Sequence, residues 1–159
     1  MTTPSPRLDH TFFDNETRPH LGAVLLRCKL LRPEQLDEAL ERQRGSGKRL
    51  GQVLIDTGML YEQDIARALA LQHDLEYIDL QASSVDPRAA SRLSPDTGRE
   101  LCAIPVRFET EGLLVAVGDP GDVYGPRLVT ETGSRVKLCV GEPTVIQTAW
   151  YRLLRGQRP

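Results

Sequence analysis

An arginine, a set of aliphatic residues and a glutamine follow one another in this chain at a helical spacing, and these residue types can hold a planar ligand with hydrogen-bonding edges. They lie in a 24-residue stretch, residues 49–72, and an earlier stretch, residues 20–43, follows the same pattern. The identical aligned pairs are Leu21/Leu50, Gly22/Gly51, Val24/Val53, Leu25/Leu54, Leu31/Leu60, Ala39/Ala68, Leu40/Leu69 and Gln43/Gln72. A repeat of this length sets the architecture of the region that it spans, and two similar units favour a site with pseudo-two-fold symmetry.

The chemistry of the repeat suits a guanine nucleotide. The guanidinium fork of Arg49 can donate two hydrogen bonds to the O6 and N7 atoms of guanine. Leu, Val and Ile side chains can cover the faces of the base, and the amide of Gln72 can both donate and accept. The alternative is that the aliphatic residues are ordinary core and the glutamines are exposed helix ends. Spacing alone leaves both interpretations open.

Each copy is predicted to form two helices with a sharp joint. In the second copy, residues 50–55 give a short helix with one apolar face, and Gly58 stands where a left-handed residue ends a helix. Met59 and Leu60 follow as an apolar plug, and residues 65–72 show helical periodicity. The first copy has the same plan, but Lys29 replaces the glycine, so that this joint is either strained or built differently.

The remainder of the chain predicts a small α/β subdomain. Strands are expected at residues 103–109, 113–117 and 135–140 and a short extended segment at Tyr77–Leu80. Helices are expected after Pro87 and Ser94-Pro95 and over residues 126–132 and 143–155. The predicted fold is therefore α+β, with two tandem helix-pair repeats (18–73) packed on an α/β subdomain (74–155). Residues 1–17 and 156–159 are predicted to be tails, the first of them flexible.

Composition excludes several classes of protein. No apolar run in the 159 residues approaches the length of a membrane span, and the N-terminus does not resemble a secretory signal, so a cytoplasmic protein is expected. A net charge of −2 argues against a partner that is a nucleic-acid polymer. Between Arg18 and Leu50, however, eight Lys or Arg face four Asp or Glu, and this excess could attract a small anion.

Catalytic and metal-binding patterns are not found in the sequence. The three histidines have no metal-type spacing, and there is no nucleophile elbow or Cys-x-x-Cys pair. The segment Gly45-Ser46-Gly47-Lys48 lacks the first glycine and the final hydroxyl of a phosphate-binding loop. We therefore expect a protein that is not an enzyme and that has no metal or cofactor.

The duplicated pattern resembles the MshEN domain, the N-terminal domain of type II secretion and type IV pilus assembly ATPases, whose members bind cyclic di-GMP. Later segments are also similar to that domain: Tyr77-Ile78-Asp79-Leu80, Ile104-Pro105-Val106 and Leu114–Pro120. The resemblance implies a cyclic di-GMP receptor that signals to a protein partner, a secretion or pilus component or a regulator. The implied ligand-binding residues are Arg18, His20, Leu21, Gly22, Leu25, Leu26, Leu30, Leu31, Gln43, Arg49, Leu50, Gly51, Leu54, Ile55, Gly58, Met59, Leu60, Gln72 and Asp119.

The first copy departs from the family pattern at two positions, His20 in place of Arg and Lys29 in place of Gly. A histidine can give one hydrogen bond to guanine but not the fork, a loss of about 1–3 kcal/mol. Arg18 could supply the missing cation, and Asp119 either contacts an arginine or the base or simply caps a turn. The departures leave a rival open, a docking module of a secretion or pilus system that has lost nucleotide binding.

Overall fold

The computed structural model describes residues 18–121 and 125–156. Within these ranges four helices come first, followed by a four-stranded mixed sheet with four further helices. The predicted α+β fold is confirmed. Gly156, assigned to a tail, is the last residue of the C-terminal helix, and the predicted tail at residues 1–17 lies outside the described residues. No helix in the described ranges combines the length and apolar character that a membrane span requires.

The first repeat (residues 20–43) contains α1 (Leu21–Arg27) and most of α2 (Pro33–Arg44). The second repeat (residues 49–72) contains α3 (Leu50–Asp56) and α4 (Glu62–Gln72). His20 and Arg49 occupy the same place, the extended residue before the first helix of each pair. Helices α2 and α4 also begin alike. The backbone N–H of the residue before each helix donates to the side chain three residues later, Arg32 to Gln35 in α2 and Tyr61 to Asp64 in α4.

The joint in each helix pair has the same backbone geometry, although one is built on lysine and the other on glycine. Lys29 has φ 58° and Gly58 has φ 71°, both in the left-handed region. In each joint the next N–H donates to the carbonyl five residues back, Leu30 to Leu25 and Met59 to Leu54, both at 3.0 Å. Lys29 therefore makes the joint of its glycine counterpart, at a cost of about 1–2 kcal/mol for its Cβ.

Replacing Lys29 with glycine should raise the free energy of unfolding by about 0.5–1 kcal/mol, because glycine adopts this conformation without the clash. Gly58→Ala should lower it by about 1 kcal/mol through backbone strain alone, since no neighbouring atom opposes a Cβ there. Urea unfolding followed by circular dichroism measures both changes. Equal stability of the two variants and the parent protein would show that neither joint is strained.

The two helix pairs pack through an approximate two-fold relation. Helix α1 contacts α4 and α2 contacts α3. A Cβ on Gly22 would lie 3.1 Å from Leu36 and 3.6 Å from Leu50, and a Cβ on Gly51 would lie 3.0 Å from Ile65 and 3.6 Å from Leu21. Each glycine thus brings the two helices of its pair close together and receives the leucine of the other repeat. The packing of the repeats is thus pseudo-symmetric, and the predicted pseudo-two-fold ligand site stays a prediction.

The sheet subdomain (residues 74–156) contains β1 (Glu76–Tyr77), β2 (Ala103–Glu109), β3 (Gly112–Val117) and β4 (Val136–Val140). The strand order is β1-β4-β3-β2, with β2 and β3 antiparallel and the other pairs parallel. The helices of this subdomain are α5 (Pro87–Ala90), α6 (Pro95–Leu101), α7 (Gly125–Thr132) and α8 (Pro143–Gly156). Residues 113–117 are buried because β3 is central and covered on both faces.

The second repeat joins the helices to the sheet. Ala66 and Ala70 of α4 pack against Val140 of β4, small side chains that allow close approach. The Glu62 carboxylate accepts hydrogen bonds from the backbone N–H and the hydroxyl of Thr144 at 2.8 and 3.1 Å. The sheet subdomain therefore covers one face of α4. The equivalent face of α2 carries Asp37, which is exposed.

Candidate ligand site at the junction of the second repeat and the sheet subdomain

A cavity of about 490 Å³ lies where the second repeat meets the sheet subdomain. Helices α3 and α4 form one side, with Leu50, Ile55 and Leu69 as apolar wall. The loop that follows β3, together with Cys102 and with Pro143 at the start of α8, forms the other side, and Leu21 is the contribution of the first repeat. This volume is within the range of small-molecule sites, about 300–1,000 Å³.

Arg49 and Asp119 meet across this cavity, one from each side. The guanidinium Nη1 of Arg49 donates to Oδ2 of Asp119. The other carboxylate oxygen accepts from the backbone N–H of Gly121 at 2.8 Å, which fixes the Asp side chain in its turn. Because the Arg49 side chain is 63% exposed, solvent screens the pair and it contributes little to folding. The ion pair orients the guanidinium at the cavity. Asp119 thus both caps its turn and contacts an arginine, the two roles between which the sequence did not decide.

A second set of polar contacts lies at the C-terminal end of α4. Nη1 of Arg18 lies 2.6 Å from Nδ1 of His73, and the amide of Gln72 donates to the carbonyl of Pro19 at 2.9 Å. The segment before the first repeat therefore crosses the end of the second. Burial lowers the pKa of His73, the charge of Arg18 lowers it further, and Asp119 opposes both effects. Burial and Arg18 therefore both favour the neutral imidazole.

Four aliphatic residues expected to clamp a ligand lie in the helical core. Leu25 and Leu54 are fully buried, and Leu31 and Leu60 are 5% and 9% exposed. They pack with Val24, Val53 and Ala68 of both repeats. None of the four lines the cavity. Without ligand these four side chains thus belong to the helical core, whereas Leu50 and Ile55 lie on the cavity wall, and the predicted contact of the four with a ligand stays a prediction.

The other expected residues of the first repeat also lie outside the cavity, apart from Leu21. His20 and Leu30 are exposed, Leu26 and Gln43 are partly buried, and Gly22 is covered by Leu36. In the second repeat, Gly51 lines the cavity, while Gly58 shapes the joint and Met59 packs on the helical core. The expected set is thus divided between a cavity on the second repeat and an open face on the first.

Two residues that line the cavity, His73 and Cys102, are outside the predicted set. His73 directly follows the last residue of the repeat pattern, and that adjacency was the available signal. No sequence signal indicated Cys102, because the position of its side chain depends on the left-handed backbone (φ 48°) at the end of α6. Burial is the main cause that raises the pKa of its thiol.

Comparison with known proteins identifies the family of this chain. The family model described as the MshEN domain matches residues 73–159, more than half of the sequence. The chain belongs to the MshEN domain family. The match begins directly after the last residue of the second repeat, so that it rests on the sheet subdomain. The alignments with relatives that cover 87% and 92% of this chain also include the repeats.

Relatives of this MshEN chain include two type IV pilus assembly ATPases PilB. The protein of Thermus thermophilus is 36% identical over 97 residues, which are 61% of this chain and 11% of that protein. The protein of Myxococcus xanthus is 27% identical over 140 residues, 87% of this chain and 25% of that protein. Bacteriophage adsorption protein B of Escherichia coli K12 is 27% identical over 150 residues, 92% of this chain and 20% of that protein. The chain therefore spans a quarter or less of the length of these relatives.

Solved structures resemble this MshEN domain over most of its length. The structure of MshE with cdg (cyclic di-GMP) matches with a TM-score of 0.75 at 28% identity, covering 86% of this chain and 99% of that one. The N-terminal domain of XpsE matches with a TM-score of 0.65 at 24% identity, covering 83% and 92%. The second similarity concerns the fold alone.

Proposed function

We propose that this MshEN domain is a cyclic di-GMP receptor without enzymatic activity of its own and that it signals to a protein partner in a secretion or pilus system. The observation that carries the proposal is the cavity at which Arg49 of the second repeat meets Asp119 of the sheet subdomain. Support comes from the similarity to MshE, a protein whose structure contains the dinucleotide.

In this proposal, one guanine of the ligand occupies the cavity. The Arg49 guanidinium is exposed enough to present its fork to the O6 and N7 edge while Asp119 holds its other side. Leu50, Ile55 and Leu69 face the base, since they are partly buried and line the cavity wall. Binding then excludes water from aliphatic surface that the free protein leaves accessible.

The second guanine would lie on the open face of the first repeat. There His20 offers one hydrogen bond, and Leu26 supplies partly buried aliphatic surface. Because the sheet subdomain covers the second repeat and not this face, the two halves of the site differ in enclosure. We expect the enclosed half to contribute most of the affinity.

Ligand binding would couple the two subdomains. Arg49 belongs to the helical repeats and Asp119 to the sheet subdomain, so a ligand that touches both favours the arrangement in which they are close. A ligand shifts a conformational equilibrium by its differential affinity for the two states. The surface that a partner contacts would change through this relative placement.

The rival function is a docking module that has lost nucleotide binding. His20 favours it, because the first repeat lacks the arginine fork. Lys29 does not, since its joint has the same geometry as that of Gly58. Both functions predict the same fold, so that only a binding measurement distinguishes them.

Isothermal titration of the chain with cyclic di-GMP tests the proposal directly. We expect a saturable one-to-one isotherm and no comparable heat with cyclic di-AMP, because the fork and the Asp119 carboxylate match the donors and acceptors of guanine. GTP should bind more weakly than cyclic di-GMP, because it brings one guanine to a site proposed to take two. A flat trace at high ligand concentration would contradict the receptor function and favour the docking module.

A further inference from the structure

His73 is a buried polar residue of the cavity to which the proposed function gives no role. It is the residue that follows α4, and its backbone N–H donates to the carbonyl of Leu69 at 3.0 Å. The residue is only 6% exposed, yet its ring lines the cavity. Burying an imidazole costs free energy unless its ring nitrogens find partners, so the contacts of both nitrogens matter.

The contact with Arg18 determines which ring nitrogen carries the proton. A guanidinium can only donate, and it lies 2.6 Å from Nδ1. Nδ1 must therefore be the acceptor, and in the neutral ring the proton is on Nε2. Burial and the charge of Arg18 both lower the pKa of His73, which keeps the ring neutral.

Nε2 of His73 and the carboxylate of Asp119 approach the same point at the cavity. Nε2 is 3.9 Å from the point that a Cβ of residue 121 would occupy, and Oδ1 of Asp119 is 2.9 Å from the same point. The residue there is glycine, so the space is empty of side chain. Because both atoms approach one empty point, a ligand group placed there can meet a hydrogen-bond donor and an acceptor.

We propose that His73 is a specificity-determining residue that donates from Nε2–H to O6 of a guanine whose N1–H donates to Asp119, with Arg18 as its positioning residue. This inference rests on the proposed function. Adenine has the opposite order on that edge, a donor at C6 and an acceptor at N1, and would leave both protein groups facing like groups. Mismatched buried polar groups are strongly disfavoured, so the pair selects guanine over adenine.

Nitrogen-15 spectra of the imidazole rings test the tautomer and the contact together. With His10 and His20 assigned by single replacement, we expect the free protein at pH 7 to show His73 protonated on Nε2. Saturating cyclic di-GMP should shift the Nε2 resonance much more than the Nδ1 resonance. In Arg18→Leu the two tautomers should mix. An Nδ1–H tautomer in the free protein, or an Nε2 resonance that saturating ligand leaves unchanged, would overturn the inference.

Binding measurements give the second readout. We expect His73→Leu to weaken cyclic di-GMP binding roughly threefold to tenfold, as for a lost neutral hydrogen bond, and to leave cyclic di-AMP binding unchanged or stronger. His73→Gln keeps an N–H donor and should recover part of the affinity. If the wild-type chain binds and His73→Leu binds equally well with the same selectivity, the inference fails while the receptor function stands. If the wild-type chain does not bind, both fail.

Discussion

Arg49→Ala should weaken the binding of cyclic di-GMP by about tenfold to a hundredfold. The variant loses the bidentate contact to guanine in the more enclosed half of the site, and such a contact discriminates by about 1–3 kcal/mol. It also leaves Asp119 without its Arg49 contact at the cavity. Isothermal titration of the variant measures the loss.

Two matched variants identify the cause of that loss. Arg88→Ala removes an arginine whose side chain is exposed in the sheet subdomain and away from the cavity, and it should leave the affinity unchanged. Arg49→Lys keeps the positive charge but not the planar fork, so it should recover only a small part of the affinity. If Arg49→Ala binds as tightly as the parent chain, Arg49 does not read the base.

Leu54→Ala should lower the free energy of unfolding by about 2–5 kcal/mol, because it leaves a cavity at a fully buried position where both repeats meet. Leu25 is the matching residue of the first repeat and is equally buried, so Leu25→Ala should cost a similar amount. Urea unfolding measures both. A loss below 1 kcal/mol in either variant would show that this core does not support the fold as described.

The same substitution separates core residues from ligand-contacting residues. At a temperature where the variant is fully folded, Leu54→Ala should bind cyclic di-GMP as the parent chain does, since its side chain does not line the cavity. Ile55→Ala, one residue along the same helix, removes part of the cavity wall and should lose affinity with a smaller loss of stability. If Leu54→Ala lost affinity and Ile55→Ala did not, Leu54 would be the residue that contacts the ligand.

The local structure follows closely from the sequence because its signals are local. Prolines at residues 87, 95 and 143 begin helices α5, α6 and α8, as expected from their fixed φ and missing N–H. The strands predicted at residues 103–109 and 113–117 agree with β2 and β3 to within one residue. The apolar spacing of the repeats likewise placed their helices, since periodicity depends only on neighbours along the chain.

The division of the repeats into core and cavity wall could not be predicted in this way. Leu54 and Ile55 are adjacent aliphatic residues of one helix. Leu54 is buried, whereas Ile55 lines the cavity that forms where the second repeat contacts the sheet subdomain. The two repeats resemble each other in sequence, yet only one is covered. The repeats do differ at that face, with Ala66 in α4 at the position of the exposed Asp37 in α2, but this difference does not tell which element packs on the alanine.

The sequence by itself determined the repeat, its helix pairs and the residue types suited to a guanine nucleotide. The tertiary structure decided which of these residues meet. Asp119 lies 70 positions from Arg49, and His73 lies 55 positions from Arg18, so that neither contact has a local signal. Periodicity reports which face of an element is apolar, whereas a polar site joining distant segments depends on how the elements pack against one another.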